Sequence, residues 1–303
     1  VLKPEYYEIG AFNDMGVAKV MIGGKYGLVD NTGKIIAKIK YDEIGNFVSG
    51  FAMVRVDSKY GIIDTGGKEV TNIKYDSFGE YAQNGLAKVT VGDLIGWVNR
   101  NGKEIMPVIN NDAGEFAEDG LNWVKQGDLY GWIDVTGKRI TKVEYSAVWP
   151  FQANGLAKVS KNGMFSWITK AGKLISPIVY SEVGEFTDGG LVYVKQGEKY
   201  GMLNTAGKKI VPIKYDSMGK FSEDGLAMAS VGGKWGWLNQ QGKEILKVDN
   251  SKIWEFNEYG LSKVLDSKDK YGFIDKAGKK VIPFKNDYAD NFVDANPEEL
   301  HGA

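Results

Sequence analysis

"KYGLVDNTGKII" (residues 25–36) returns as "KYGIIDTGGKEV" at 59–70 and as "YGWIDVTGKRI" at 130–140. Working outward, the glycine of the "GK" step falls at Gly33, Gly67, Gly102, Gly137, Gly172, Gly207, Gly242 and Gly278. The intervals are 34, then 35 five times, then 36 residues. A second glycine keeps the same beat, at Gly16, Gly50, Gly85, Gly120, Gly155, Gly190, Gly225 and Gly260. So does an aromatic series that runs from Phe12 through Phe47, Tyr81, Phe116, Phe151, Phe186, Phe221 and Phe256 to Phe292. A fixed period of this length marks a repeat architecture. The units are 6–40, 41–74, 75–109, 110–144, 145–179, 180–214, 215–249 and 250–285. "NDYADNF" then begins a ninth copy, so 286–303 reads as a partial repeat or cap with a tail. In that tail "NPEELHGA" has the cap and proline of a single helical turn.

Inside each unit the apolar period is two, which specifies strands. In "LAKV" the second residue is usually small (Ala18, Ala52, Ala87, Ala157, Ala227) and shares a face with the fourth, which is Val in seven units of eight. In "KYGLVD" the Leu28 position holds Trp97, Trp132, Trp167 and Trp237, and the Val29 position is always Val, Ile or Leu. Both faces are apolar, so this should be the most buried strand. In the "D-x-x-G-K" step an Asp or Asn bonds its own turn, and the glycine supplies the left-handed residue; unit five departs with Thr169. A third strand follows, and Pro107, Pro177, Pro212 and Pro283 predict that it ends there or lies on an edge. The "YDEIGNF" segment is a candidate fourth short strand.

The unit "YDxIGxFxxxGLAxVxxxxKYGϕIDxxGKxI" resembles the bacterial WG-repeat family, named for a Trp-Gly pair at the position of Tyr26-Gly27. Only Trp235-Gly236 matches that pair literally; Tyr-Gly stands at 26, 60, 130, 200 and 271, with Ile95-Gly96 and Phe165-Ser166 further away. The resemblance implies a repeat module, often envelope-associated, and brings no catalytic residues. The expected fold is all-β: eight tandem β-meander units of about 35 residues, each unstable alone and stacked on its neighbours into an open superhelix or solenoid. An eight-bladed β-propeller is the alternative.

Composition removes several chemistries. The chain has 303 residues, no cysteine, one histidine (His301) and net charge −1. Disulfides, thiolate zinc sites and thiol nucleophiles are thereby absent, and a histidine-based metal site or Ser-His-Asp triad lacks its residues. No basic block invites nucleic acid, and no apolar run approaches the roughly 18 residues of a membrane span. "DSKDKYGFID" (266–275) comes nearest to a calcium loop, but Lys268 and Lys270 occupy two ligand positions. The glycines of "MIGGKYG" and "SVGGKWG" precede a strand and not a helix, as hairpin turns do and phosphate loops do not. No metal, cofactor or enzymatic activity is expected.

The informative positions are those that vary. The third residue of "LAKV" is in turn Lys19, Met53, Lys88, Trp123, Lys158, Tyr193, Met228 and Lys263. Lysine alternates with a large apolar residue through unit six, a superperiod of about 70 residues that follows from paired duplication or from alternating neighbours. Alternatively Met53, Trp123 and Tyr193 form a stripe offered to a partner, with Lys158 solvated beside it. Trp149 and Trp254 replace the glycine of "IGxF", either filling the core or lining a carbohydrate platform. The expected function is a non-catalytic binding or scaffolding module with a protein partner, in a bacterial envelope or secreted protein (periplasm or cell surface) in preference to the cytoplasm. A lectin-like module that binds glycan through exposed Trp and Tyr is the alternative.

Overall fold

In the first repeat four strands lie side by side in chain order: Glu8–Ile9, Val17–Ile22, Lys25–Asp30 and Ile35–Tyr41. They belong to a computed structural model that describes residues 6–290. The described residues are all-β, in eight small antiparallel sheets of three or four strands, one sheet per repeat and without a helix. The "YDEIGNF" segment does supply a short strand: Glu8 and Ile9 pair with Met21 and Val20. The two long strands pair without slip, Lys19 opposite Leu28 and Val20 opposite Gly27. Their hairpin turns on Gly23 and Gly24, both at positive φ (58° and 77°), as the tight type I′ turn demands. In the next turn Asp30 Oδ1 accepts the N–H groups of Thr32 (2.9 Å) and Lys34 (3.0 Å). Thr169 does the same more weakly, its hydroxyl accepting from Lys173 at 3.3 Å. The last described strand, Lys280–Asn286, leads into the ninth copy; 291–303, with His301 and the helix-like tail, lie outside the described residues.

The glycine of the Trp-Gly pair is there for close approach. A Cβ on Gly27 would lie 2.6 Å from Ile39 Cγ1 and 2.8 Å from the Ala37 carbonyl, because the edge strand crosses directly over it. At Ser166, which replaces this glycine, the hydroxyl donates to the Ser176 carbonyl at 2.8 Å. The proline-bearing strand is an edge strand, as expected, yet it does not stop at proline: Pro107 lies inside Glu104–Asn110 and Pro212 inside Lys209–Tyr215. A shift of register against the central strand takes up the irregularity.

In repeats two, four and five the edge strand shrinks to isolated bridges. Those repeats carry the buried hydroxyls of Thr71, Thr141 and Ser176 where the others have Ala37, Met106, Val211, Leu246 and Ile282. Thr71 Oγ1 accepts the Ile62 N–H at 2.8 Å, and Thr141 Oγ1 that of Trp132 at 3.0 Å. The side chain thus takes a donor that the ladder would otherwise use.

The chain falls into two compact units, Val1–Val148 and Trp149–Ala303. Within each, the Leu28-type face of one sheet covers the small/Val face of the next. In the first unit Leu28 and Tyr41 pack with Ala52, Val54 and Ile63, and Trp97 with Val124 and Ile133. In the second, Trp167 packs with Val192, Val194 and Leu203, and Trp237 with Val264 and Ile274. Each such Val, Leu or Ile contributes about 1.5–3 kcal/mol by full burial. The turn glycine seals the same junctions. Gly137 (φ 81°) would place a Cβ 1.9 Å from the Ile105 carbonyl of the preceding repeat, and Gly207 one 1.8 Å from that of Ile175. Left-handed backbone and contact with a neighbour both require glycine here.

Candidate binding clefts

The variable stripe and the Trp149/Trp254 pair occupy one and the same slot of the repeat. The residue at the "IGxF" glycine donates its N–H to the carbonyl of the third "LAKV" residue on the adjacent strand. Examples are Gly45 to Met53 (2.8 Å), Gly114 to Trp123 (3.2 Å), Gly184 to Tyr193 (3.0 Å), Trp149 to Lys158 (3.0 Å) and Trp254 to Lys263 (3.1 Å). Where the third residue is aromatic, its ring lies over the glycine: a Cβ on Gly114 would be 2.5 Å from Trp123 Nε1, and one on Gly184 2.2 Å from Tyr193 Cε1. Where the first residue is Trp, the third is Lys, and its ammonium caps the indole. Lys158 Nζ lies 4.6 Å from the Trp149 ring centre, and Lys252 and Lys263 lie 4.7 and 4.6 Å from that of Trp254. The slot therefore takes one aromatic ring from either of two positions. The ring then packs against the residue of the Trp-Gly position: Trp123 on Tyr130 (5.6 Å), Trp149 on Phe165 (6.0 Å) and Trp254 on Tyr271 (6.2 Å).

This arrangement corrects one expectation. The Lys158 side chain is only 20% exposed, lying along Trp149 with Nζ 3.4 Å from Glu185 Oε1. It is packed and not solvated.

Clefts open between successive sheets beside the slot. One of about 360 Å³ between repeats two and three is lined by Val48, Met53, Ile62, Phe78 and Tyr81. A larger one, about 830 Å³, lies between repeats six and seven against Phe186, Tyr193, Tyr200 and Phe221. Met228 and Trp235 line a third, of about 520 Å³, between repeats seven and eight. Lys19 and Phe47 border a fourth, of about 450 Å³, between repeats one and two. Met53 and Tyr193 thus stand in cleft walls, and Met53 is 37% exposed. Trp123, Trp149 and Trp254 are half-buried.

Charged groups around these clefts staple repeats together. Lys25, Lys59 and Lys199 pair with Asp42, Asp76 and Asp216 across the repeat boundary. Asp76 also accepts the Gly92 N–H, and Asp216 that of Gly232. The lysine hydrogen bonds, seconded by these amides, hold the three carboxyls below their ordinary range. Tyr75 donates to Glu104 at 2.7 Å and Tyr215 to Glu244 at 3.1 Å, and burial pushes both phenols up. Burial works to raise Glu104 and Glu244 too, but their bonds from lysine and tyrosine outweigh it and leave them lowered. None of these carboxyls is held protonated near neutrality, as a general acid must be. Among the described residues no group of three or more His, Cys, Asp or Glu is placed to hold a metal ion. No described helix is long and apolar enough to cross a membrane.

The repeat that carries the close-approach glycine matches a known family. The WG containing repeat matches residues 1–26, 26–60, 60–94, 95–130, 130–165, 165–200, 200–235 and 271–295. The chain belongs to the WG-repeat family. The stretch between the last two matches holds the same strands, Lys234–Asn239 and Leu261–Leu265. No curated protein matches this WG-repeat chain. Among solved structures it is similar to a eukaryotic initiation factor (9% identity, TM-score 0.31, 91% of this chain and 87% of that one). It is also similar to Hsv2p of Kluyveromyces lactis (12%, TM-score 0.27, 76% and 92%) and to BamB from Moraxella catarrhalis (9%, TM-score 0.25, 80% and 88%).

Proposed function

We propose that this WG-repeat chain is a non-catalytic binding or scaffolding module whose inter-sheet clefts receive segments of a partner protein. One observation carries the reading: over a constant frame, the side chain at the cleft mouth changes from Lys19 to Met53, Tyr193 and Met228. Constant frame with variable apolar or aromatic lining is how a repeat scaffold distributes specificity. A protein partner is favoured over a glycan because lysines lie over Trp149 and Trp254, on the ring surface a sugar would stack on. The proposed place is the bacterial envelope or outside the cell; the absence of cysteine fits that place as well as it fits the cytoplasm.

The test is selection of a displayed peptide library on the immobilised chain. Selected peptides should lose affinity for Tyr193→Ala or Met53→Ala while far-UV circular dichroism is unchanged. Glycan-array binding abolished by Trp149→Ala or Trp254→Ala, with no peptide selected, would replace this reading by the lectin.

A further inference from the structure

Three features mark the cleft between repeats two and three. First, the loop before the second glycine is one residue short: "FVSG" (47–50) stands where the first repeat has "FNDMG" (12–16) and the seventh has "FSEDG" (221–225). Second, large apolar side chains are left exposed at its mouth, Val48 at 57% and Met53 at 37%. Third, the cleft holds a cation with no carboxylate on it. Arg100 lies with its guanidinium carbon 4.9 Å from the Tyr81 ring centre and forms no ion pair with another described residue.

The eighth repeat shows what is missing. There Lys276 occupies the position of Arg100 and pairs at 2.6 Å with Asp224, the residue before the second glycine of the preceding repeat. In repeat two that residue is Ser49. Shortening the loop and losing the acid leave Arg100 beside an apolar cavity of about 360 Å³, the scale of one or two side chains. Arginine suits the task, because its planar fork grips a carboxylate through two parallel hydrogen bonds while its flat face rests on an aromatic ring.

Building on the binding reading above, we propose that this cleft takes a partner polypeptide through an acidic residue flanked by a large apolar one. The carboxylate meets Arg100, and the apolar side chain lies between Met53, Val48 and Phe78. Glu80 also lines the mouth, exposed and unpaired with Arg100. It works against an acidic guest, so removing its charge should strengthen binding.

The experiment uses the full chain with ¹³C-methyl methionine, titrated by NMR with the blocked hexapeptide Ac-Ser-Phe-Glu-Leu-Ser-Gly-NH₂. Peptides with Gln or Lys in place of Glu, and xylohexaose, are titrated in parallel; Met53→Leu assigns the Met53 methyl. The Met53 signal should shift with the Glu peptide, at least fivefold more weakly with the Gln peptide, and not with the Lys peptide. Arg100→Gln should reproduce the Gln-peptide loss. Ser49→Asp should do so too, with Arg100 in place, by restoring the acid that Lys276 has; Asp tolerates the positive φ of 53° at this position. Glu80→Gln should tighten binding about twofold or more. Equal affinity for the Glu and Gln peptides, indifference to Arg100→Gln, or a Met53 shift driven only by xylohexaose overturns the proposal. Shifts confined to Met202, Met218 or Met228 also overturn it but leave the general binding reading standing. Silence of every methyl to every probe, with no peptide selected from the library, removes both.

Discussion

Two alanine substitutions ten residues apart separate the effect of the left-handed backbone from that of the neighbouring repeat. Gly127 and Gly137 both have positive φ, 59° and 81°. A Cβ on Gly127 meets nothing within 4 Å, whereas one on Gly137 lies 1.9 Å from the Ile105 carbonyl oxygen and 2.8 Å from its carbon. The backbone term is common to both and costs about 1–2 kcal/mol, offset in part by about 0.4–1 kcal/mol from the stiffer unfolded chain. At Gly137 the preceding repeat's backbone must also withdraw, and overpacking of this kind adds about 1–3 kcal/mol. Gly127→Ala should thus cost about 1 kcal/mol and Gly137→Ala about 2–4 kcal/mol. The assay is urea unfolding followed by tryptophan fluorescence, with midpoints compared at constant slope. Gly207→Ala, 1.8 Å from the Ile175 carbonyl, should behave like Gly137→Ala. Equal costs at Gly127 and Gly137 would refute the claim that the turn glycine serves the junction.

The core and the polar ladder give further expectations. Ile133→Ala removes a side chain 2% exposed on the central strand and should cost about 2–5 kcal/mol in the same assay. Thr71→Val keeps the shape but leaves the Ile62 N–H without its acceptor, so it should cost about 1–3 kcal/mol; no loss would mean the hydroxyl does not carry the ladder there. Because Asp42, Asp76 and Asp216 are lowered in the folded chain, the unfolded chain takes up their protons first on acidification. Their stabilisation is present above about pH 4 and is lost as the pH falls below it. The melting temperature should drop on that limb, less steeply in Asp76→Asn; a rise on acidification would contradict the ion-pair staples.

The long strands, their pairing and the turn chemistry were legible because each is written within a few residues: period two, an Asp or Asn, a glycine. The short strand Glu8–Ile9 and its kin fall in the segment that offered itself as a candidate fourth strand, with no periodicity to mark it. What escaped depends on residues that meet across strands or repeats. The shrinkage of the edge strand goes with a hydroxyl at Thr71 or Thr141 that accepts a backbone N–H across the sheet, and at Ser176 with one that meets the Ser166 hydroxyl. Proline marked an edge but not its end, because a shift of register carries the strand past Pro107. The slot was visible only as two separate lists, since its halves sit nine residues apart in repeats four to eight and on different strands. The signal was present all the same: Trp149 and Trp254 replace glycine only where the partner position is lysine.

The central claim is that where the slot holds an aromatic ring, in repeats four, five, six and eight, one ring enters it from either of two positions. A double-mutant cycle on Trp149 and Lys158 tests it most directly. Trp149→Gly alone empties the slot and should cost about 2–4 kcal/mol, scaled from full aromatic truncation to a half-buried ring. Lys158→Trp alone places two indoles in one slot and should cost about 1–3 kcal/mol. The double variant rebuilds the Gly114–Trp123 arrangement of repeat four and should return to within about 1 kcal/mol of the parent. If the two costs simply add, the slot is not shared and the account fails.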